Sequence, residues 1–204
     1  MRKLLLTINC SLLTISVFAD NRCLHHKPLA SSELKVPSFS VSVIQPEKPM
    51  ALMHGNVVAT FSEAYQIEYG AAREGNGWCV FIEHITAEIG YTDFVIQIDR
   101  RHRFDSCEFN AIKTHENKHV RAYLSVIDDG KEDIKNSILA AAGTVLPIYV
   151  ENEHGIDVAM DELEEMLQSR PQIRLMRQRL SAEQEIRNRR IDMQDSTPLK
   201  DCAD

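Results

Sequence analysis

The stretch Thr114-His115-Glu116-Asn117-Lys118-His119-Val120 decides how the chain is read. At its centre is His-Glu-x-x-His. On a helix, His115 and His119 stand one turn apart on one face, where two imidazoles can grip a single zinc ion (Zn2+). Glu116 lies about 100° round the helix from His115. From there its carboxylate can reach a water beside such an ion, which is where a general base belongs.

The flanks support a helix. Cys107 to about Asp128 contains neither Gly nor Pro, and Asp105 with Glu108 forms a capping box in front of it. Phe109, Ile112, Tyr123, Val126 and Ile127 make one apolar stripe at helical spacing. Glu116 and His119 fall inside that stripe and His115 on its edge, whereas Lys113, Asn117, Lys118, Arg121 and Ser125 take the opposite side. Burying a carboxylate and two imidazoles costs several kcal/mol unless they are paired or bind a metal. A metal site is therefore expected, with mutually satisfied core polar groups as the alternative. The charges at Lys113, Lys118 and Arg121 are unusual neighbours for such a motif.

At 204 residues the chain fits one domain with a substantial core. Residues 1–19 read as a secretory signal peptide: a basic Met1-Arg2-Lys3, an apolar run from Leu4 to Phe18, and the small-residue cleavage site Val17-Phe18-Ala19. Cys10 is a passive part of that signal. The domain is expected over 20–204, with a polar N-terminal arm and a polar C-terminal tail and no membrane span. Without Arg2 and Lys3 the exported part has 21 basic side chains against 30 acidic ones. That balance argues against generic nucleic-acid binding.

Cys23, Cys79, Cys107 and Cys202 remain after the signal, and an even number in an exported chain suggests two disulfides. Of three connectivities, Cys79–Cys107 with Cys23–Cys202 is favoured. A cysteine metal site is the weaker reading, because no Cys-x-x-Cys pair exists.

Along the chain, 21–37 reads as an extended arm whose His25-His26 pair is solvated. A surface metal contact there is the lesser reading, since adjacent residues diverge on regular elements. Phe39, Val41 and Val43 alternate with serines as in a half-buried strand, and 56–69 reads as a second strand. Gly70, Gly75 and Gly77 mark a turn. Trp78–Ile89 and Tyr91–Asp99 read as a hairpin about Gly90, with Glu83, His84 and Glu88 facing outward. Asp128-Asp129-Gly130 should stop the motif helix, and a second helix should follow over 131–142. From about 156 to 192 the pattern is helical again, and Pro171 either kinks this helix or starts a new one. The arginines of its second half read as a solvated face, with an anionic partner the lesser possibility.

Two histidines do not complete a catalytic zinc site; three protein ligands and a water are usual. A histidine one more turn-and-a-half along would fall at Ser125, which excludes that extension. Two carboxylates remain candidates, Glu153 after Asn152, and Asp192.

Cys107, His115-Glu116-x-x-His119, the preceding Trp78-Cys79 and the strand pair together resemble small secreted bacterial proteins of unknown function with a zincin-type HExxH helix. The likeness covers Trp78 to Val126, with an echo in Ile191-Asp192 and Cys202. It implies a metallopeptidase-like site with His115 and His119 as metal ligands and Glu116 as catalytic base, leans towards Asp192 over Glu153, and implies no substrate.

The expectation is thus an α+β fold, an antiparallel sheet from the N-terminal half packed on helices from the C-terminal half, carrying the zincin-like helix. The expected activity is secreted, zinc-dependent hydrolysis of a peptide or amide bond, in the periplasm or outside the cell. A peptide or protein would be the substrate, cell-wall peptide included, added alongside Phe94–Ile98 if that strand is an edge. His84, His102, His154 and several tyrosines are open as oxyanion donors. The rival is a non-catalytic exported envelope protein, with a structural metal or a buried polar network at the same motif.

Overall fold

The computed structural model describes residues 21–26, 30–50, 53–195, 199 and 202. The expected signal peptide lies outside them. The described chain runs through a 3-10 helix (Asn21–His26), β1 (Ser31–Lys35), β2 (Ser40–Ile44), β3 (Gly55–Glu74), β4 (Gly77–Ile98), α1 (Cys107–Ala142), β5 (Ile148–Val150), α2 (Ile156–Gln168) and α3 (Pro171–Gln194). The fold is α+β, a five-stranded sheet with three α-helices.

All pairing is made to β4. Along its whole length one side takes β3, antiparallel, through a turn at Gly75, whose φ of 59° suits a residue without Cβ. The other side takes β5 antiparallel at Trp78–Val80, then β1 at His84–Glu88 and β2 at Asp93–Gln97, both parallel to β4. The sheet is therefore mixed, which corrects the expectation of an antiparallel one. The residues read as a polar arm supply a 3-10 helix and a parallel strand instead.

The hairpin expected at Gly90 is also corrected. Gly77–Ile98 is one strand, and Gly90 is buried where a Cβ would come within 2.8 Å of Pro37 Cδ. What resembled two strands is one strand with two bulges. Register on β3 skips Glu83 and Thr92 of β4. At each skip the buried positions change parity, from Val80 and Ile82 to Ile85, Ala87, Ile89 and Tyr91, then to Phe94, Ile96 and Ile98. An extra residue on one strand turns its alternation over. The bulges keep a long twisted strand apolar towards the helices throughout. Glu83 and Glu88 are exposed, and His84 Nδ1 lies 2.6 Å from Ser31 Oγ on β1.

Helix α1 continues through Gly130 to Ala142, which corrects the stop expected there. Ile134 and Ile138 prolong the stripe of Ile127, and each is fully buried. Burying one such side chain contributes about 1.5–3 kcal/mol, against about 1 kcal/mol for a glycine within a helix. The helix begins one residue beyond the expected cap: Ser106, not Asp105, accepts from Phe109 N at 3.2 Å.

Pro171 starts a new helix, with its ring at the first turn where no N–H is needed. Helix α3 lies antiparallel on α1. Its end meets His115 and His119, its middle meets Asp129 through Arg187, and Leu180 packs near Gly130.

The disulfides are Cys23–Cys79 and Cys107–Cys202, not the pairing expected. The topology explains both. Because β1 runs parallel to β4, the residues before Ser31 lie beside those before His84, which brings Cys23 to Cys79. Because α3 is antiparallel to α1, the chain beyond Asp195 returns to the start of α1, where Cys107 sits.

Candidate metal-binding cleft

Three carboxylate or imidazole side chains are buried among the described residues: Asp99, Glu116 and His119. Asp99 is fully accounted for. It accepts from Arg101 Nε (2.9 Å), Nη2 (3.0 Å) and backbone N (2.8 Å), and from Met50 N (2.6 Å). These bonds, those from Arg101 foremost, hold its carboxyl well below the usual range. The other two belong to an open cleft of 520 Å³ between α1, α3 and the start of β3.

Helix α1 sends His115, Glu116 and His119 into this cleft, and α3 sends Asn188 and Asp192; the four-residue spacings His115–His119 and Asn188–Asp192 each keep two side chains on the facing side. His115 Nδ1 is 3.1 Å from Asp195 Oδ2, and His119 Nδ1 is 3.1 Å from Asn188 Oδ1. Both partners are oxygens that accept from Nδ1–H, and in the tautomer protonated there alone each imidazole turns an Nε2 lone pair inward. The two Nε2 atoms are 3.1 Å apart, and Asp192 Oδ1 is 3.1 Å from that of His119 and 3.4 Å from that of His115. In that tautomer three acceptors converge. In that state the cluster is electrostatically unfavourable until a proton or a metal cation enters it.

Lys118, one of the charges out of place beside the motif, reaches Asp195 at 2.5 Å. Its ammonium, then His115, hold the Asp195 carboxyl below its ordinary value. Asp195 is therefore an ionised acceptor that orients His115.

Glu116 is 5 % exposed. Burial pushes its carboxyl up to about 7, with a smaller upward push from Asp192 and an opposing one from His119. The backbone crowds it. A Cβ on Gly55, the first residue of β3, would come within 2.5 Å of Glu116 Oε1 and 2.6 Å of Ile112 Cγ2. Glycine at that position lets the strand pass directly over the carboxylate.

Of the two carboxylates open as a third ligand, Asp192 lies in the cluster. Glu153 is exposed in a 3-10 turn after β5, at the opposite end of β4. Of the open oxyanion donors, His84 and His154 do not line the cleft; Tyr123 does. His102 touches it through His54, whose Nδ1 lies 2.9 Å from His102 Nε2. Burial, then the neighbouring His54, lower the His102 imidazole below its ordinary value. His54, Gly55, Asn188 and Asp195 were not singled out from sequence. A His-Gly pair opening a strand and an Asn-x-x-x-Asp spacing on a helix are the only signals they leave.

The strand Phe94–Ile98 is flanked on both sides, by β2 and β3, so no peptide can add to it. The edge beside the cleft is the outer side of β3, where Gly55, Asn56 and Val57 line the cavity.

The fold and cleft define an α+β protein, tied by two disulfides, with a His-His-Asp acceptor cluster beside a buried glutamate. No protein-family model, curated protein or solved structure matches this chain.

Proposed function

We propose that this protein is an exported, zinc-dependent hydrolase of peptide or amide bonds, with His115, His119 and Asp192 as metal ligands and Glu116 as general base. The convergence of three acceptor atoms beside a buried carboxylate carries this reading. Zinc bonds of 2.0–2.2 Å arranged tetrahedrally separate their donors by about 3.3–3.6 Å. The present spacings of 3.1, 3.1 and 3.4 Å are close to that edge. Imidazole with carboxylate is a donor set that zinc accepts.

Zinc there would supply Lewis acidity towards a carbonyl and make water acidic near neutral pH. The residues of the chain do the rest. Asp195 and Asn188 orient the two imidazoles. Glu116 takes the proton of the attacking water and returns it to the leaving nitrogen. Its carboxyl, raised by burial, is matched to that exchange. An extended peptide is held by main-chain hydrogen bonds along the edge of β3 that no strand pairs among the described residues, which sets its scissile bond over Glu116. His54, oriented by His102, and Tyr123 are among the side chains at the cleft able to donate to the carbonyl oxygen.

The competing reading is a structural site. A structural zinc is closed by four protein ligands. The group found here among the described residues has three members and opens on the cleft, which favours catalysis. Two disulfides suit an oxidising compartment, periplasmic or extracellular.

The test is a pair of measurements on chelator-stripped, zinc-reloaded protein. One equivalent of zinc should bind in the cleft and be lost on His115→Ala. Glu116→Gln should keep the zinc and lose about 10²–10⁴-fold in peptide hydrolysis, including that of cell-wall peptide. Undiminished turnover by Glu116→Gln removes Glu116 as base. Zinc binding with no cleavage by the wild type hands the site to the structural reading.

A further inference from the structure

The far end of β3 carries a second cluster. His25 and His26 are neighbours in sequence, and on regular backbone their side chains would diverge. Here their rings lie 4.0 Å apart, tilted 42°, and both Nε2 atoms converge on one oxygen, Glu74 Oε2, at 3.0 and 2.9 Å. Glu74 is the last residue of β3, beside the Gly75 turn. The cleft lies at the other end of that strand.

Two features keep this cluster assembled. Cys23, fully buried two residues before His25, is bonded to Cys79 in β4, so the histidine pair cannot leave the hairpin it faces. The Arg22 guanidinium also sits 3.6 Å over the Tyr149 ring of β5. His26 and Glu74 are half-buried, while His25 remains open to solvent. The ligands are thus held in place and one side is accessible to an incoming ion.

We infer that His25, His26 and Glu74 form a second metal-binding site, one that binds copper(II) more tightly than zinc as nitrogen and oxygen donors do in general. The donor atoms lie within 4.8 Å of one another. With bonds of about 2.0 Å, neighbouring donors stand about 2.8 Å apart in a square arrangement and about 3.3 Å apart in a tetrahedron. The spacings of 3.0 and 2.9 Å to Glu74 Oε2 fall between the two and admit either arrangement. Of the divalent first-row ions, copper(II) binds such nitrogen and oxygen donors most tightly. This site shares no residue with the cleft and does not depend on its being a hydrolase.

The experiment uses the disulfide-bonded chain with His115→Ala and His119→Ala, which removes the cleft pair, titrated with copper(II) and followed by calorimetry and electron paramagnetic resonance. One equivalent should bind, with a signal split by two nitrogens. Adding His25→Ala and His26→Ala should abolish it. Glu74→Gln should weaken it by more than the roughly 10–100-fold that loss of an outer partner costs. Should the cleft variant not fold, the wild type is compared with His25→Ala/His26→Ala alone, and exactly one fewer copper equivalent is expected. Equal copper stoichiometry with and without the histidine pair, or tighter binding of zinc than of copper at this site, overturns the inference.

Discussion

Glu116 holds a carboxyl that its surroundings would rather keep neutral. Its folded value of about 7 lies above the ordinary 4.5. The folded state therefore binds more protons than the unfolded one between those values, and stability falls as pH rises through that window. In chelator-treated protein, Glu116→Gln should be indistinguishable from wild type near pH 4. It should become more stable as pH climbs past 7, by up to about 3 kcal/mol. Thermal melts at both ends of the window measure this, and a constant offset across pH would show that desolvation is not the cause. Asn188 acts on His119 alone, through Nδ1. Asn188→Ala should leave the fold intact and weaken zinc about 10–100-fold in competition with a chromophoric chelator.

Helix α1 gives the element-scale test. Gly130 lies within it at ordinary helical φ, and a Cβ there would meet only Leu180 Cδ2 at 3.6 Å and Ile134 Cδ1 at 3.8 Å, both ordinary contacts. Gly130→Ala should raise the denaturation midpoint, a gain of about 0.5–1 kcal/mol. Gly55 is the opposite case. Its substitution by Ala drives a methyl into Glu116 and Ile112, where β3 crosses α1. Hydrolysis should fall with little change in zinc affinity, since neither histidine is touched; equal loss of both would mean that the whole end of the sheet has moved. The misreading of Gly130 as a stop has the same physical root: three buried isoleucines on one stripe outweigh one weak helix former.

At the scale of the whole molecule, the Cys107–Cys202 bond returns the C-terminal segment to the start of α1 across a separation of 95 residues. Closing a loop of that length contributes about 4–5 kcal/mol in the chain-entropy model. Cys107→Ser with Cys202→Ser should lower stability by up to that amount. Because α3 delivers Asp192 and Asp195, zinc affinity should fall with it. Parallel unfolding curves for fluorescence and zinc release would show the two to be one event.

Local physics was legible without coordinates. A period of 3.6 residues placed His115 and His119 on one face and Glu116 within the buried stripe, and alternation marked β2 and β3, because each signal is carried by neighbours in the chain. Contacts between distant segments left no such trace. Parallel pairing of β1 and β2 with β4, the two bulges that let β4 run unbroken past Gly90, both disulfide pairings, and the meeting of α3 with α1 were decided by which surfaces bury one another. So the motif could be read from its residues and Asp192 named beside Glu153 as a candidate third ligand, while the choice of Asp192 and the supports Asn188 and Asp195 came only when a helix some seventy residues away docked antiparallel against the motif.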